Sequence, residues 1–298
     1  MKNSMNNIVF SIAATALLSC GNGNDKADGY GNFEATEITV SAENTGKLMQ
    51  FSVEEGQILE KNAFVGFIDT IPLHLKREQL VVSKALVSSK SKGVLSQINV
   101  LNAQLKTANI TKERTKNLIQ DHAGTQKQLD DITGEIEIIK QRINSVEIQN
   151  GPVVNELKNI DVQMAQINDQ IKKSILMNPV AGTVLAKYTE PNEITTFGKP
   201  LYKIADLSTM QLRVYISETQ LANLKIGQEV KVKIDAADSM KSYTGNVSWI
   251  ASEAEFTPKI IQTKEERVAL VYAAKIDVKN DGSLKIGMPA EMWINEKL

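Results

Sequence analysis

The chain has 298 residues, with 34 Lys and Arg against 35 Asp and Glu, two histidines and one cysteine, so its charges nearly cancel at pH 7. That balance excludes a nucleic-acid binder relying on gross positive charge, and the lone cysteine excludes an internal disulfide and a cysteine-rich metal site. The composition, 42% hydrophobic with only 5% aromatic, is that of an ordered protein in which part of the chain buries a narrow aliphatic stripe, as a coiled coil does.

Lys2 precedes an apolar run from Ile8 to Leu18, followed by Ser19, Cys20 and the small polar stretch Gly21-Asn22-Gly23-Asn24. A run of about 11 residues is too short to span a bilayer, which takes about 20, and reads as an export signal. Leu17 and Ser19 ahead of Cys20 resemble the lipobox of bacterial lipoproteins, which implies a signal peptide over residues 1–19 and acylation of Cys20. The alternative is an ordinary signal peptide with an incidental cysteine. Residues 20–32, rich in Gly, Asn and Asp, read as a flexible tether.

An internal repeat comes next. Gly46-Lys47-Leu48 through Glu55-Gly56-Gln57-Ile58 runs parallel to Gly182-Thr183-Val184 through Pro191-Asn192-Glu193-Ile194, and the stretch from Ala63 to Asp69 parallels that from Pro200 to Asp206. Each copy alternates short apolar runs with turn residues, the pattern of three or four short strands. A unit this small cannot bury a core alone, whereas two copies facing each other can. The chain near Asp69 must therefore lie close to the chain near Asn178, and everything between must leave and return.

Residues 72–177 are the intervening segment. From Leu129 through Ile132, Ile136, Ile139, Ile143, Val146, Asn150, Val153, Leu157, Ile160, Met164, Ile167 and Ile171 to Ser174, steps of three and four alternate without interruption, which is a heptad seam. Leu80, Val87, Val94, Ile98, Leu101, Leu105 and Ala108 keep the same register more loosely. Asp121 to Gln126 separates the arms, with Gly124 suited to end a helix and Thr125 to cap the next, so the segment reads as an antiparallel helical hairpin. Residues 75–120 carry net +7 and residues 127–173 net −2, a pattern that favours pairing between the arms. The 46-residue seam would reach about 69 Å. Gly151-Pro152 within it predicts a kink or short break.

After Asp206 the pattern is of strands: Met210 to Ile216, Glu229 to Ile234, Tyr243 to Ala251, Ala269 to Val278 and Ala290 to Ile294, with turn signals between several of them and a short helix near Glu218 to Asn223. Five or six antiparallel strands suggest a small β-barrel, which an early strand over residues 33–41 could close.

This order resembles the HlyD-type membrane fusion proteins, the periplasmic adaptors of Gram-negative tripartite export systems. Val53-Glu54-Glu55-Gly56-Gln57-Ile58, Asn178-Pro179-Val180-Ala181-Gly182-Thr183-Val184 and Leu284-Lys285-Ile286-Gly287-Met288-Pro289-Ala290 carry the resemblance. Glu255-Phe256-Thr257-Pro258-Lys259 followed by Glu265-Glu266-Arg267-Val268 looks like the subgroup working with ABC-type exporters. The fold class so implied is mixed α and β: a lipoyl-like barrel-sandwich hybrid split by a long antiparallel coiled-coil α-hairpin, plus a small antiparallel β-barrel. Its lipoyl-like halves would be residues 42–71 and 178–206, and its barrel residues 207–298.

The resemblance also implies a contact with a TolC-type outer-membrane channel through an Arg, a Leu four residues on and a Ser seven further. Arg114, Leu118 and Thr125 hold those spacings, with Thr in place of Ser. It further implies an inner-membrane transporter of ABC type as partner, a homo-oligomer of six copies, and a lipid-anchored periplasmic location at the inner membrane. Many adaptors carry a further membrane-proximal domain after the barrel, and no such stretch follows the last strand here. Contact with the transporter would then fall to the barrel and the tether.

Readings from other classes compete. A lipoyl or biotinyl carrier would place a lysine where the hairpin stands here, and no Asp-Lys or Met-Lys-Met attachment motif occurs there. An enzyme would need a constellation that is missing: His74 and His122 lie 48 positions apart, and Gly-x-Ser-x-Gly, His-Glu-x-x-His and a phosphate loop are absent. Neither catalysis nor a cofactor is expected. A coiled-coil lipoprotein that spaces two membranes without transport is the remaining alternative.

Overall fold

The computed structural model describes residues 26–236, 239–256 and 270–294. The export signal and Cys20 lie outside the described residues, as do most of the motif after Phe256 and Ala269, the first residue of its strand. Two compact units emerge, one of residues 38–204 and one that combines the chain before Ile38 with the chain from Ala205 onward. The mixed fold class expected from the sequence is present in full.

The first unit contains the repeat. Strands β2 (Glu37–Ser41), β3 (Gly46–Phe51), β4 (Ile58–Leu59) and β5 (Phe64–Ile68) precede the hairpin, and β6 (Ile175–Met177), β7 (Gly182–Lys187), β8 (Ile194–Thr195) and β9 (Pro200–Ala205) follow it. They form two four-stranded sheets, ordered β2-β9-β7-β4 and β6-β5-β3-β8, so each sheet mixes strands from both copies. The exchange follows the repeat residue by residue. Gly56 N–H donates to Val184 O at 2.9 Å, and its repeat equivalent Asn192 N–H donates to Leu48 O at 2.7 Å. Both turn residues hold positive φ, 82° and 74°, a conformation that glycine and asparagine tolerate best. Leu48, Val65, Ile68, Val184, Leu201 and Ile204 fill the space between the sheets.

Tyr202 is fully buried in that core, and its hydroxyl donates to Asn178 Oδ1 at 2.9 Å. Burial disfavours the phenolate and pushes this group up to about 12. The folded form thus holds the proton more tightly than the unfolded chain does. The stability involved is fully present below pH 10 and is lost as pH rises through about 12, a loss of roughly 2 to 3 kcal/mol. Tyr202→Phe should flatten this alkaline limb in denaturant titrations at pH 9 to 12.

The hairpin consists of α1 (Ile71–Gln120) and α2 (Gln126–Lys173). At 1.5 Å per residue its arms run about 70 Å. The buried and half-buried residues of α2 are the seam residues from Leu129 to Ile171 and no others, as the alternating spacing requires. Asn44 Nδ2 ties the base, donating to Gln170 O at 3.1 Å and to Ser174 Oγ at 2.8 Å. Two expectations are corrected here. The helix runs through Pro152 without the short break, since proline costs one backbone bond on the exposed side while Val146 and Val153 stay packed on either side. Pairing of charges between the arms is nearly absent: among the described residues Lys84–Asp161, at 2.6 Å, is the one ion pair that joins them. Most of the remaining cations of α1 are exposed off the seam, while Arg77 and Lys112 hold seam spacing and are partly buried without an ion pair to α2 among the described residues.

The second unit is a barrel. β1 (Gly29–Glu34), β10 (Thr209–Ile216), β11 (Glu229–Asp235), β12 (Met240–Ile250), β14 (Leu270–Lys279) and β15 (Pro289–Trp293) follow one another around it in the order β10-β1-β15-β11-β12-β14, and β14 closes on β10. The two-residue β13 (Glu255–Phe256) adds to β14, and the short helix α3 (Glu218–Leu221) follows β10. Alternation along each strand puts Leu212, Val214, Val232, Ile276 and Met292 inside. Gly31 is obligatory, since a Cβ there would lie 1.8 Å from Arg213 O. The early strand expected over residues 33–41 is two strands. Its first part, together with residues 29–32 assigned to the tether, belongs to β1 in the barrel, and residues 37–41 form β2 in the sandwich.

Candidate functional site at the hairpin tip

Five residues, Asp121 to Thr125, join the two arms. His122 N–H donates to Ile119 O at 3.1 Å and Ala123 N–H to Leu118 O at 2.7 Å, while His122 takes φ 59°. These bonds and that left-handed residue make a Schellman motif, which ends α1 by satisfying its last carbonyls. The residue that stops the helix is therefore His122 and not Gly124. Gly124 sits close under the end of α1: a Cβ there would lie 3.1 Å from Ile119 N and Ile119 Cγ1, a tight contact. Thr125 opens α2 in extended conformation with a capping box. Gln128 N–H donates to Thr125 Oγ1 at 3.4 Å, and Thr125 N–H donates to Gln128 Oε1 at 2.9 Å.

Leu118 is 43% exposed, and the residue that continues the α1 seam beside it is Ile119. Leu118 is thus free for contact. Arg114, one turn earlier, is exposed and carries no ion pair among the described residues. Both continue a side of α1 that also presents Val100, Thr107 and Thr111, by steps of seven, four, three and four. With Glu135, Ile138 and Arg142 of α2, that side walls an open groove along the distal half of the hairpin. Leu118 lies in the last turn of α1, with Arg114 a turn before it, and Thr125 stands across the five-residue turn at the start of α2. Apart from its cap, Thr125 is exposed. The groove residues were not singled out from sequence; their seven-residue spacing on the solvent side was the available signal.

Nothing at the tip suggests chemistry. Among the described residues no group of three His, Cys, Asp or Glu could hold a metal ion, and no helix is long and apolar enough to cross a membrane.

The family model of the YknX-like β-barrel domain matches residues 210–294, the barrel after β1. A UPF0194 membrane protein of Yersinia pseudotuberculosis serotype O:3 (strain YPIII) is 26% identical over 290 residues, covering 87% of each chain. Among solved structures, MacA from Actinobacillus actinomycetemcomitans superposes with a TM-score of 0.54 at 19% identity, over 89% of this chain and 76% of that one. A membrane fusion protein of Streptococcus pneumoniae R6 also gives a TM-score of 0.54 at 19% identity, over 88% of this chain and 98% of that one. The barrel thus matches the YknX-like β-barrel domain, and in fold the chain is similar to MacA and to the Streptococcus pneumoniae membrane fusion protein.

Proposed function

We propose that the chain is a lipid-anchored periplasmic adaptor linking an inner-membrane transporter of ABC type to a TolC-type outer-membrane channel. Cys20 would carry the lipid, six copies would form the working ring, and Arg114, Leu118 and Thr125 would meet the channel. The observation that supports this reading most is the tip itself. A hairpin about 70 Å long ends in a closed, capped turn. There an exposed cation and an exposed leucine stand one helical turn apart on one side, and neither serves the fold. A groove between channel helices is a surface such a pair would fit. The work so proposed is mechanical and sealing, without catalysis.

The test is co-purification of the tagged full chain from detergent-extracted envelopes. Both an outer-membrane channel and an inner-membrane transporter should accompany it. A variant lacking residues 76–170, which removes matching lengths of both arms, should lose the channel and keep the transporter. Retention of the channel by that variant would place the contact elsewhere.

A further inference from the structure

The two ends of the barrel are unlike. At one end β1, β11 and β14 begin while β10, β12 and β15 finish, as their antiparallel registers require. Tyr30, Ile226, Trp249, Phe256 and Leu270 lie at or beside this end, each between 40% and 76% exposed. Phe256 and Leu270 face each other across the β13–β14 pairing. Ile226 caps the turn whose Gly227 N–H donates to Val247 O, two residues before Trp249. Cations fringe the group: Lys225 precedes Ile226, and Lys275 Nζ sits 5.7 Å from the centre of the Trp249 ring. The opposite end exposes Met240 and Ile286 and is tied down by polar contacts. There Lys241 Nζ donates to Asp281 Oδ2 at 2.5 Å and to Ser283 Oγ at 3.1 Å, and Tyr243 donates to Asp281 Oδ1 at 3.2 Å.

Five large apolar side chains gathered at one end of a small barrel call for a partner. Trp, Tyr and Phe fringed by lysine are the residues that favour the boundary between headgroups and acyl chains, where a ring is half apolar and half wet. The path of the chain points the same way. β1 enters the barrel at this end, and Gly29 follows Cys20 by nine residues, a fully extended reach of about 30 Å. A lipid on Cys20 would therefore hold this end, rather than the polar one, close to the bilayer.

We infer that this end of the barrel rests on the bilayer surface, with Trp249, Phe256 and Leu270 entering the headgroup layer. The anchor supplies the attachment, and the apolar end sets the orientation. For the lipid on Cys20 the inference relies on the reading given under Proposed function.

The two tryptophans permit a direct test in the lipidated full chain. It is reconstituted into vesicles of phosphatidylethanolamine and phosphatidylglycerol, with or without acyl chains brominated near the headgroup. In Trp293→Phe, Trp249 is the sole tryptophan, and its emission should shift to the blue and be quenched about twofold or more by the brominated lipid. In Trp249→Phe/Trp293→Phe/Ile286→Trp the reporter sits at the polar end on the same tether, and quenching should be negligible. Phe256→Asp with Leu270→Asp, both at exposed positions, should release Trp249 from quenching. Equal quenching at the two ends, or none at Trp249, would overturn the bilayer contact, as would quenching that survives the double aspartate variant. A Trp249 left unquenched by lipid but protected by co-reconstituted transporter would also overturn it, in favour of a protein partner. Because co-purification through the hairpin is read separately, the bilayer contact can fail while the adaptor reading stands.

Discussion

Arg114→Asp should abolish export while leaving the hairpin folded. Arg114 is exposed, lies off the seam and has no ion pair among the described residues, so nothing in the fold depends on it. If Arg114 meets an acidic groove of the channel as proposed, the change replaces an attractive charge with a repulsive one, and a like-charge contact across an interface costs several kcal/mol. Taking about 3 kcal/mol, binding weakens roughly 100-fold, enough to bring export down to the level of a strain lacking the chain. Leu118→Asp should do the same. Lys92→Asp is the control: it makes the same reversal of charge on α1 but away from the groove side, and export should continue. Far-ultraviolet circular dichroism and thermal unfolding should not separate the three variants from the parent. If Arg114→Asp exports normally, the tip is not the contact.

Asn178→Leu should be the most damaging single change to the first unit. Asn178 is fully buried where the chain returns from the hairpin. Its side chain donates to Glu60 O at 2.9 Å and to Val180 O at 2.5 Å, and accepts from Tyr202 at 2.9 Å. Its backbone donates to Ala63 O at 2.8 Å and accepts from Asn62 N–H at 2.7 Å. One residue thus fastens the second half-sandwich to the first. Leucine keeps the volume but leaves the Val180 carbonyl and the buried Tyr202 hydroxyl without this partner, at about 1 to 3 kcal/mol each, while Glu60 O keeps the Ala63 N–H at 3.2 Å. A total of roughly 3 to 5 kcal/mol is expected, which for a unit of this size lowers the unfolding midpoint by about 10 °C or more. Tyr202→Phe removes only one of those bonds and should cost about 1 kcal/mol.

The sequence made much of this architecture legible, for identifiable reasons. The alternation of threes and fours from Leu129 to Ser174 has one physical solution, a two-helix seam, and the solvent-facing residues between carry no contrary signal. The repeat was readable because Gly56 and Asn192 are both residues that accept positive φ, at matching places in matching strings. What escaped was tertiary. His122 stops α1 although Gly124 stands two residues on, since the stop is decided by which residue the backbone bonds force into the left-handed region. Proline at 152 left a short break open as a reading, and the helix continues through it with Val146 and Val153 packed on either side. Net charge on each arm suggested pairing between the arms, but net charge carries no direction, and only the side of the helix decides whether a lysine meets its partner. At the tip, the spacing of Arg114, Leu118 and Thr125 was visible in the sequence. That Leu118 is spared from the seam by its neighbour Ile119 required the structure.

The central claim is that the hairpin tip touches an outer-membrane channel in the living envelope. A photo-crosslinking amino acid at His122, exposed at the turn, and another at Ile58, exposed on the sandwich, test it directly, with captured proteins identified by mass spectrometry. An outer-membrane channel should be attached at His122 and absent at Ile58, where the captured species should be a second copy of this chain. Capture at His122 of only other copies or periplasmic bystanders would contradict it, and would leave the chain a spacer of membranes without a channel to join.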